Sequence, residues 1–447
     1  MNVPSLLHDC RKLLAVMVPV LITQVSTVGM NFIDTAMSGH AGAADLAGVS
    51  VGANLFMPLM VGIMSILAAA TPIIAQLLGR KEKAAIPAVV RTGLYLAFLA
   101  AVTLLTAYWL GVDALMQGLA LEPDVEHVAR YYLLAVVIGS FFQFLVMPFR
   151  ALTDTVGSTT LSMSLFLAAL PVNGLLNYMF IFGMWGAPRL GGIGAGVATA
   201  LTYALLLILF ITVTIRWDDC FRGRAIVSSL ACRWSSLREY LAIGIPNGLG
   251  AFMESSLFGF IIIFMTPFGT DILASHQAAM NFSGLIYMVP LSFSMALTIL
   301  VGIEVGAHRY DQARRFGRLG VALALGCGMT AATCSILGRN VIASIYAGDA
   351  ALIPLIGHFL IYTAAWQTFD GIACPIQGIL RGYKDVRVPF ALMMVAYWGI
   401  CFPSGIALNA WTDAGPYSYW QGLVLGVMCS AGLLTFRLRR IERKYKP

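Results

Sequence analysis

Residues 13–33 read LLAVMVPVLITQVSTVGMNFI, an uncharged apolar run that ends directly before Asp34. A helix of about 20 such residues is long enough to cross the hydrocarbon core of a bilayer. A carboxylate at membrane depth is costly, so residues of this kind usually face a cavity and handle ions or substrate. The run therefore predicts a membrane-spanning helix that carries a functional acid.

Apolar windows of this type recur along all 447 residues, and only 11% of the residues are charged. Soluble globular proteins carry about 25% charged residues, so this chain cannot cover a water-facing surface. A β-barrel is disfavoured, because its strands alternate lipid-facing and lumen-facing residues over short segments. We predict an all-α integral membrane protein of twelve transmembrane helices, from windows at residues 13–33, 46–79, 92–112, 131–149, 155–188, 190–215, 240–253, 272–303, 319–338, 350–369, 388–412 and 414–436.

The net charge of +7 comes from basic residues that are unevenly distributed among the predicted loops. Lys and Arg collect in alternate loops, with 25 in one set and 3 in the other, namely Arg130, Arg189 and Arg339. Since basic residues favour cytoplasmic loops, we predict that both termini are cytoplasmic. We expect contacts with anionic membrane lipids and no binding of nucleic acid.

The sequence contains no Walker lysine loop and no HExxH. Its one match to GxSxG, at residues 48–52, lies inside an uncharged apolar window. We therefore predict a protein that is not an enzyme, needs no cofactor and draws on an ion gradient. The eight cysteines show no metal-ligand spacing and are expected to be buried free thiols.

The second half of the chain repeats the first at a constant offset of 227 residues. Matching positions include Pro19 with Pro246, Asn54 with Asn281, Arg91 with Arg318 and Pro148 with Pro375. Each half holds six predicted spans, so the two should be related by a pseudo-two-fold axis along the membrane normal. We predict six-helix lobes at residues 1–215 and 239–447, joined by a cytoplasmic linker at 216–238.

Three carboxylates inside the predicted spans are not duplicated: Asp34, Glu254 and Asp370. The shared scaffold therefore does not require them, and they are predicted to be specialisations of each lobe. At 1.5 Å per residue, Glu254 lies about 24 Å and Asp370 about 16 Å along their helices from the nearest basic residue. Both acids are therefore expected near the middle of the bilayer.

If their helices are neighbours, Glu254 and Asp370 share one cavity, where they would hold a proton or bind a cation such as Na⁺. The alternative is two separate acids, each satisfied by hydroxyls or backbone. For Asp34 the alternative is an interfacial residue at a helix end. Asn173 and Asn177 are four residues apart, hence on one helix face, and are candidate polar partners in the same lobe.

Four further residues are candidates for the wall of a cation or drug cavity. Tyr287 could face a cation through its ring. Met253 and Met288 have soft, flexible side chains that suit a cavity accepting many shapes. Gln277 opens the predicted eighth span. The alternatives are interfacial packing for the tyrosine, a structural role for the glutamine and lipid contact for the methionines.

Several short motifs fit one family: FIDTAMSG at 32–39, PVN at 171–173, FMESS at 252–256, and Asp370 followed by RGYK at 381–384. With these motifs, nearly the whole chain resembles the multidrug and toxic compound extrusion (MATE) transporters, specifically the NorM-like branch. The resemblance implies a two-lobed, twelve-helix exporter of cationic lipophilic drugs in the bacterial cytoplasmic membrane. It further implies coupling to inward flow of Na⁺ or H⁺.

The resemblance also implies roles for individual residues. Glu254 and Asp370 match the acids of a second-lobe cation site, and Tyr287 matches an aromatic residue associated with that site. Asp34 matches a first-lobe aspartate implicated in proton or cation coupling. Some relatives carry a second aspartate where this chain has Asn177. The asparagine gives this chain less negative charge at that place.

Alternative functions remain open at this point. A lipid-linked oligosaccharide flippase of the same superfamily would favour a basic cavity, whereas the buried ionisable residues predicted here are acids. An ion channel would pass current without alternating access, and a membrane scaffold would tolerate neutralisation of all three acids. We expect a monomer that binds small organic cations.

Overall fold

The computed structural model describes residues 3–217, 223–227 and 234–445. Within these ranges, twelve helical stretches are long and apolar enough to cross a membrane, and no residue lies in a β-strand. The prediction of an all-α protein with twelve transmembrane helices is confirmed. The stretches are α1 (Ser5–Ala41), α2 (Ala43–Gly79), α3 (Lys83–Leu119), α4 (Pro123–Gly157), α5 (Thr159–Phe182), α6 (Gly192–Arg216), α7 (Trp234–Phe268), α8 (Thr270–Gly306), α9 (Tyr310–Leu337), α10 (Leu352–Gly382), α11 (Arg387–Trp411) and α12 (Tyr417–Lys444).

The duplicated prolines lie inside helices at equivalent places in the two halves. Pro19 is within α1 and Pro246 within α7, while Pro148 is within α4 and Pro375 within α10. Each proline removes one backbone N–H donor from its helix. The helices continue through these positions, so in each half the backbone lacks one helical hydrogen bond at each of the same two points.

Two π-helical segments depart from regular α-helix. One, Thr153–Gly157, ends α4, and the other, Val395–Cys401, lies within α11. Short π segments inside helices widen the turn and are frequent at functional sites. Both segments carry polar side chains toward the protein interior, as described below.

The predicted linker at 216–238 is only partly described. Residues 218–222 and 228–233, with two of the predicted cytoplasmic arginines, lie outside the described residues, and Gly223–Val227 form a short helix. Because α7 already begins at Trp234, helix occupies the end of the predicted linker. A second short helix, Arg339–Tyr346, lies between α9 and α10.

The chain divides into two compact units. The first unit comprises residues 22–78 and 82–248, and the second comprises residues 1–21, 79–81 and 249–447. In the first unit, Phe56, Leu67 and Phe144 belong to a buried cluster that joins α2, α3 and α4. α1 and α7 contribute residues to both units.

The second unit is built around α10, which packs against α8, α9 and α12. Its core holds large side chains that are almost completely buried, including Phe293, Phe316, Phe359 and Trp420. The indole Nε1 of Trp420 donates a hydrogen bond to Nδ1 of His276 at 3.0 Å. This bond satisfies the indole inside an otherwise apolar core, whereas His276 Nε2 is buried with no hydrogen-bond partner among the described residues.

Small residues bring α10 close to its neighbours. A Cβ added to Gly378 would overlap the backbone carbonyl of Ser294 on α8, and one added to Gly371 would lie 3.2 Å from the carbonyl oxygen of Ala324 on α9. Hydroxyl groups strengthen the contact, since Ser294 Oγ donates to the Cys374 carbonyl at 2.7 Å. Such small-residue contacts with interhelical hydrogen bonds are typical of helix packing in membranes.

The six described cysteines are free thiols, but they are not all buried. Cys374 and Cys401 are buried as predicted, whereas Cys327 and Cys334 on α9 are exposed. The prediction is wrong for these two, because an apolar run in a membrane helix can face lipid as well as the core. Cys220 and Cys232 lie outside the described residues.

We expect Gly378→Ala to destabilise the protein by about 1–3 kcal/mol, because the methyl group must displace the α8 backbone. Unfolding of the purified protein in detergent, followed by circular dichroism, measures the loss. The matched control is Gly432→Ala on α12, where an added Cβ would meet no atom within 4 Å. Equal stability of the two variants would contradict the close contact of α8 and α10.

Candidate functional sites in the two units

The carboxylate of Asp34 is the centre of a buried polar cluster in the first unit. Its side chain is on α1, and the residue is 6% exposed. Asn177 Nδ2 on α5 donates to Asp34 Oδ1 at 2.6 Å, and Thr199 Oγ1 on α6 donates to Asp34 Oδ2 at 2.5 Å. Three helices therefore meet at this acid, and neither donor carries a positive charge.

The two asparagines predicted as polar partners are both part of this cluster, and both are completely buried. Asn177 Nδ2 also donates to Asn173 Oδ1 at 3.2 Å, and Asn173 Nδ2 donates to Thr199 Oγ1 at 3.4 Å. Asn177 Oδ1 is buried with no hydrogen-bond partner among the described residues. A buried oxygen without a partner is costly, and an amide oxygen next to a carboxylate can ligate a cation or accept a hydrogen bond.

Asp34 does not lie at the end of its helix. α1 continues to Ala41, and Ser38 Oγ donates to the backbone carbonyl of Asp34 at 2.7 Å within the same helix. The structure thus places this acid two turns before the helix end and inside a polar cluster, which disfavours the interfacial alternative. Thr199 was not identified from the sequence, because a single threonine in an apolar helix is no signal.

A second buried polar group of the first unit was also missed. Arg150 is one of the 25 basic residues predicted for the cytoplasmic loops, but it lies within α4. Its Nε is 3.5 Å from Asp154 Oδ2, with side-chain exposures of 9% and 7%. Its Nη2 donates to Gln24 Oε1 at 2.9 Å, and its guanidinium lies 5.1 Å from the centre of the Phe166 ring. The π segment at the end of α4 carries the acid of this pair.

In the second unit, the structure brings Glu254 and Asp370 within electrostatic range of each other. Asp370 on α10 is 5% exposed, and Glu254 on α7 is half-buried. Tyr397, on the π segment of α11, lies within hydrogen-bonding reach of the Glu254 carboxylate. The two acids therefore lie near each other, but only Asp370 lines the cavity described below, and Glu254 does not. The shared cavity stays a prediction.

Polar groups next to these acids come mostly from α10 itself. Cys374 and Arg381 follow Asp370 by about one and three helical turns, so all three share a face. The charge of Arg381 reaches Glu254, and Arg381 Nη2 donates to Ser294 Oγ on α8 at 2.8 Å. This spacing was a usable sequence signal, whereas nothing in the sequence pointed to Tyr397.

The four candidate wall residues are placed differently. Tyr287 is half-buried on α8, lies within electrostatic range of both acids and lines a cavity together with Asp370. Met253 directly precedes Glu254 in the chain, and Met288 directly follows Tyr287. Both methionines are half-buried, and neither lines that cavity. Gln277 is exposed near the start of α8 and does not line it either.

The donor sets suit a proton or a hard monovalent cation. In the described part of the chain, no group of three or more His, Cys, Asp or Glu side chains could hold a metal ion. The oxygens of Asp34, Asn173, Asn177 and Thr199 are those of carboxylate, amide and hydroxyl groups, which suit hard cations.

The MatE family model matches the chain twice, at residues 19–179 and 246–406. The chain belongs to the MatE family. The starts and the ends of the two matched segments are both 227 residues apart, the offset found in the sequence. The two MatE segments cover Asp34 and the asparagines in the first half, and Glu254 and Asp370 in the second.

Curated relatives of this MatE chain are similar over nearly its full length. It is 40% identical over 436 residues to "Probable multidrug resistance protein NorM" of Halalkalibacterium halodurans. This alignment covers 97% of this chain and 94% of the relative. It is 40% identical over 435 residues to the protein of the same name from Bacillus subtilis, with 97% and 96% covered. The resemblance to the NorM-like branch is thereby confirmed.

Solved structures show the same fold at lower sequence identity. The eukaryotic MATE transporter AtDTX14 aligns with a TM-score of 0.89 at 17% identity, covering 98% of both chains. The Vibrio cholerae MATE transporter VcmN in its bent form aligns with a TM-score of 0.85 at 16% identity, covering 99% of both. At these identities the likeness concerns the fold alone.

We expect Thr199→Val to lower the free energy of unfolding by about 1–3 kcal/mol, because it leaves one oxygen of the Asp34 carboxylate buried without a donor. The matched control is Thr202→Val on the same helix, whose hydroxyl donates only to the carbonyl of Ala198, at 2.8 Å. Denaturant unfolding of both purified variants measures the difference. The assignment would be wrong if both variants lost the same stability.

Proposed function

We propose that this MatE protein is a multidrug antiporter that exports lipophilic organic cations in exchange for inward Na⁺ or H⁺. The cation-coupling residues are Asp34 in the first unit and Glu254 with Asp370 in the second. The protein acts as a transporter and not as an enzyme. Its cargo and its coupling ion bind in turn.

One observation carries this proposal: two deeply buried acids have no ion-pair partner. In the described part of the chain, neither Asp34 nor Asp370 forms a salt bridge, and the donors to Asp34 are neutral. A buried carboxylate without a counter-charge is unstable in the ionised form. Each of these sites therefore gains free energy by taking up a proton or a cation, which is the property a coupling site needs.

The neighbourhood of Glu254 and Asp370 suits exchange rather than permanent binding. Two acids within electrostatic range repel each other when both are ionised, so the pair favours binding of positive charge. The charge of Arg381 also reaches Glu254 and limits how tightly a cation is held. Moderate affinity permits release, and differential affinity of two conformations then gives transport a direction.

The names of the relatives support the nature of the cargo. Both relatives described above are called probable multidrug resistance proteins. Export of toxic compounds gives resistance, and cationic cargo fits sites built from acids. The acids also favour this cargo over the anionic headgroup that a lipid-linked oligosaccharide flippase would bind.

We further propose a location and a topology. The protein resides in the bacterial cytoplasmic membrane, with both termini in the cytoplasm, because basic residues are concentrated in the loops on one side. Anionic lipid headgroups contact those loops. The functional form is a monomer, and its substrates are small organic cations.

Neutralising the second-unit acids should abolish efflux. We expect Glu254→Gln and Asp370→Asn each to reduce export of a fluorescent organic cation from cells at least about tenfold, since one buried charge–charge contact is worth more than 1.4 kcal/mol. Dye retention, corrected for the amount of protein in the membrane, is the measurement. The matched control is Asp413→Asn, an exposed acid of the same unit, which should export normally.

Undiminished export by both Glu254→Gln and Asp370→Asn would reject the assignment of these acids. Loss of export in Asp413→Asn as well would point to a general effect of surface charge. The comparison therefore separates a buried coupling site from membrane electrostatics.

Purified protein in proteoliposomes should move the dye only when an ion gradient drives the exchange. We expect efflux to follow an imposed Na⁺ gradient, a pH gradient or both, and Asp34→Asn to weaken the response to at least one of them. Dye flux and internal ion concentration are recorded together. A current that flows without dye movement would favour a channel instead.

A further inference from the structure

The second unit contains a cavity of about 640 Å³ enclosed by α1, α8, α9 and α10. α9 forms one wall with small residues, among them Gly326 and Cys327, and α10 contributes Trp366, Gln367 and Asp370. Cys327 is exposed, so the cavity opens at the surface of α9. A ligand therefore has a route into it.

Gln367 is the unexplained group of this cavity. The residue is 6% exposed, and both its Oε1 and its Nε2 are buried with no hydrogen-bond partner among the described residues. A primary amide can donate two hydrogen bonds and accept two. Leaving such a group unsatisfied in a protein interior is costly, so this amide calls for a partner that enters the cavity.

The other lining groups limit what that partner can be. The lining residues include Asp370 but no Lys, Arg or His. Asp370 lies one turn after Gln367 on α10, so the carboxylate and the amide are on the same helix face. The rings of Tyr287 and Trp366 also line the cavity and can attract a cation through their faces. A positive charge suits this lining, and a phosphate does not.

We propose that this cavity is a binding site for lipophilic organic cations that carry both an N–H donor and a hydrogen-bond acceptor, with Gln367 as the group that selects them. The N–H group donates to Gln367 Oε1, and the acceptor takes a hydrogen bond from Nε2. Asp370 supplies the opposite charge, and the apolar wall of α9 holds the body of the molecule. This inference rests on the proposed export of organic cations, because it assigns them a place next to a coupling acid.

Two exposed cysteines on α9 allow a direct test of occupancy. Cys327 lines the cavity, while Cys334 lies about two turns further along the same helix and does not. Variants that keep only one of these cysteines are purified, and the rate of alkylation by N-ethylmaleimide is measured with and without rhodamine 6G. This cation has N–H donors and an ester carbonyl. We expect protection of Cys327 and no change at Cys334.

Each other outcome of the labelling experiment overturns the proposal. If rhodamine 6G binds by fluorescence anisotropy while Cys327 reacts at its usual rate, the dye is bound elsewhere. If phosphatidylcholine nanodiscs alone protect Cys327 and the dye adds nothing, the cavity holds a lipid. Equal protection of Cys334 means that the dye acts on the whole helix.

The role of Gln367 is tested by a pair of matched dyes. Rhodamine B ethyl ester is also a cation with the same ester, but its nitrogens carry no N–H. We expect Gln367→Leu to weaken binding of rhodamine 6G about tenfold more than binding of the second dye, the effect of one buried hydrogen bond. Equal weakening of both dyes would overturn the selective role.

A cavity-filling variant covers the case in which Gln367→Leu fails to fold. A Cβ at Gly326 would meet no atom within 4 Å, so Gly326→Phe fills the cavity without a clash at its base. We expect it to abolish protection of Cys327 by rhodamine 6G, whereas Gly432→Phe, at an equally open position on α12, should retain protection. Retained protection in Gly326→Phe overturns the proposal.

Failure of this inference can be told apart from failure of the proposed function. Transport in proteoliposomes without protection of Cys327 means that antiport occurs through another binding place. Protection of Cys327 without gradient-driven transport means that the site binds cations in a protein that is not an antiporter.

Discussion

A charged carboxylate is unstable in the hydrocarbon of a bilayer, and this chain buries such acids inside its spanning helices. Water is absent at that depth, so an acid must be neutralised, hydrogen-bonded or turned toward a cavity. Asp34 is supported by neutral donors from α5 and α6, and Asp370 faces a cavity. Neither arrangement supplies a permanent counter-charge. The proposed function uses this property, because it assigns each acid the binding of a mobile cation.

The two units surround their buried acids with different side chains. The duplicated scaffold supplies equivalent helices with prolines at equivalent positions, but the acids do not match. Asp34 and Glu254 lie at different positions of the equivalent helices α1 and α7, and Asp370 lies on α10. In the first unit an amide and hydroxyl network surrounds a single acid, whereas in the second a pair of acids lies near a phenol and a guanidinium. The duplicated halves thus share helices and prolines but differ in the polar side chains around their acids.

Close packing of α10 gives the second unit both its acid site and its cavity. The contacts of Gly378 with α8 and of Gly371 with α9 fix the helix on two sides. Asp370 and Gln367 are then held on a helix that cannot shift away from its neighbours. Small residues on α9 leave space opposite them, so the same feature that lets helices approach also creates a volume for a ligand.

The number of spans, the internal repeat and the three acids could be predicted from the sequence, because charge in an apolar run and a constant offset are local patterns. Asn173 and Asn177 could be predicted as well, since they share a helix face. Folding was needed to bring Thr199 and Tyr397 to the acids, to bury the Arg150–Asp154 pair and to expose Cys327. The physical reason is that lipid and protein core are equally apolar. Hydropathy shows which residues leave water, and helix packing decides which of them meet.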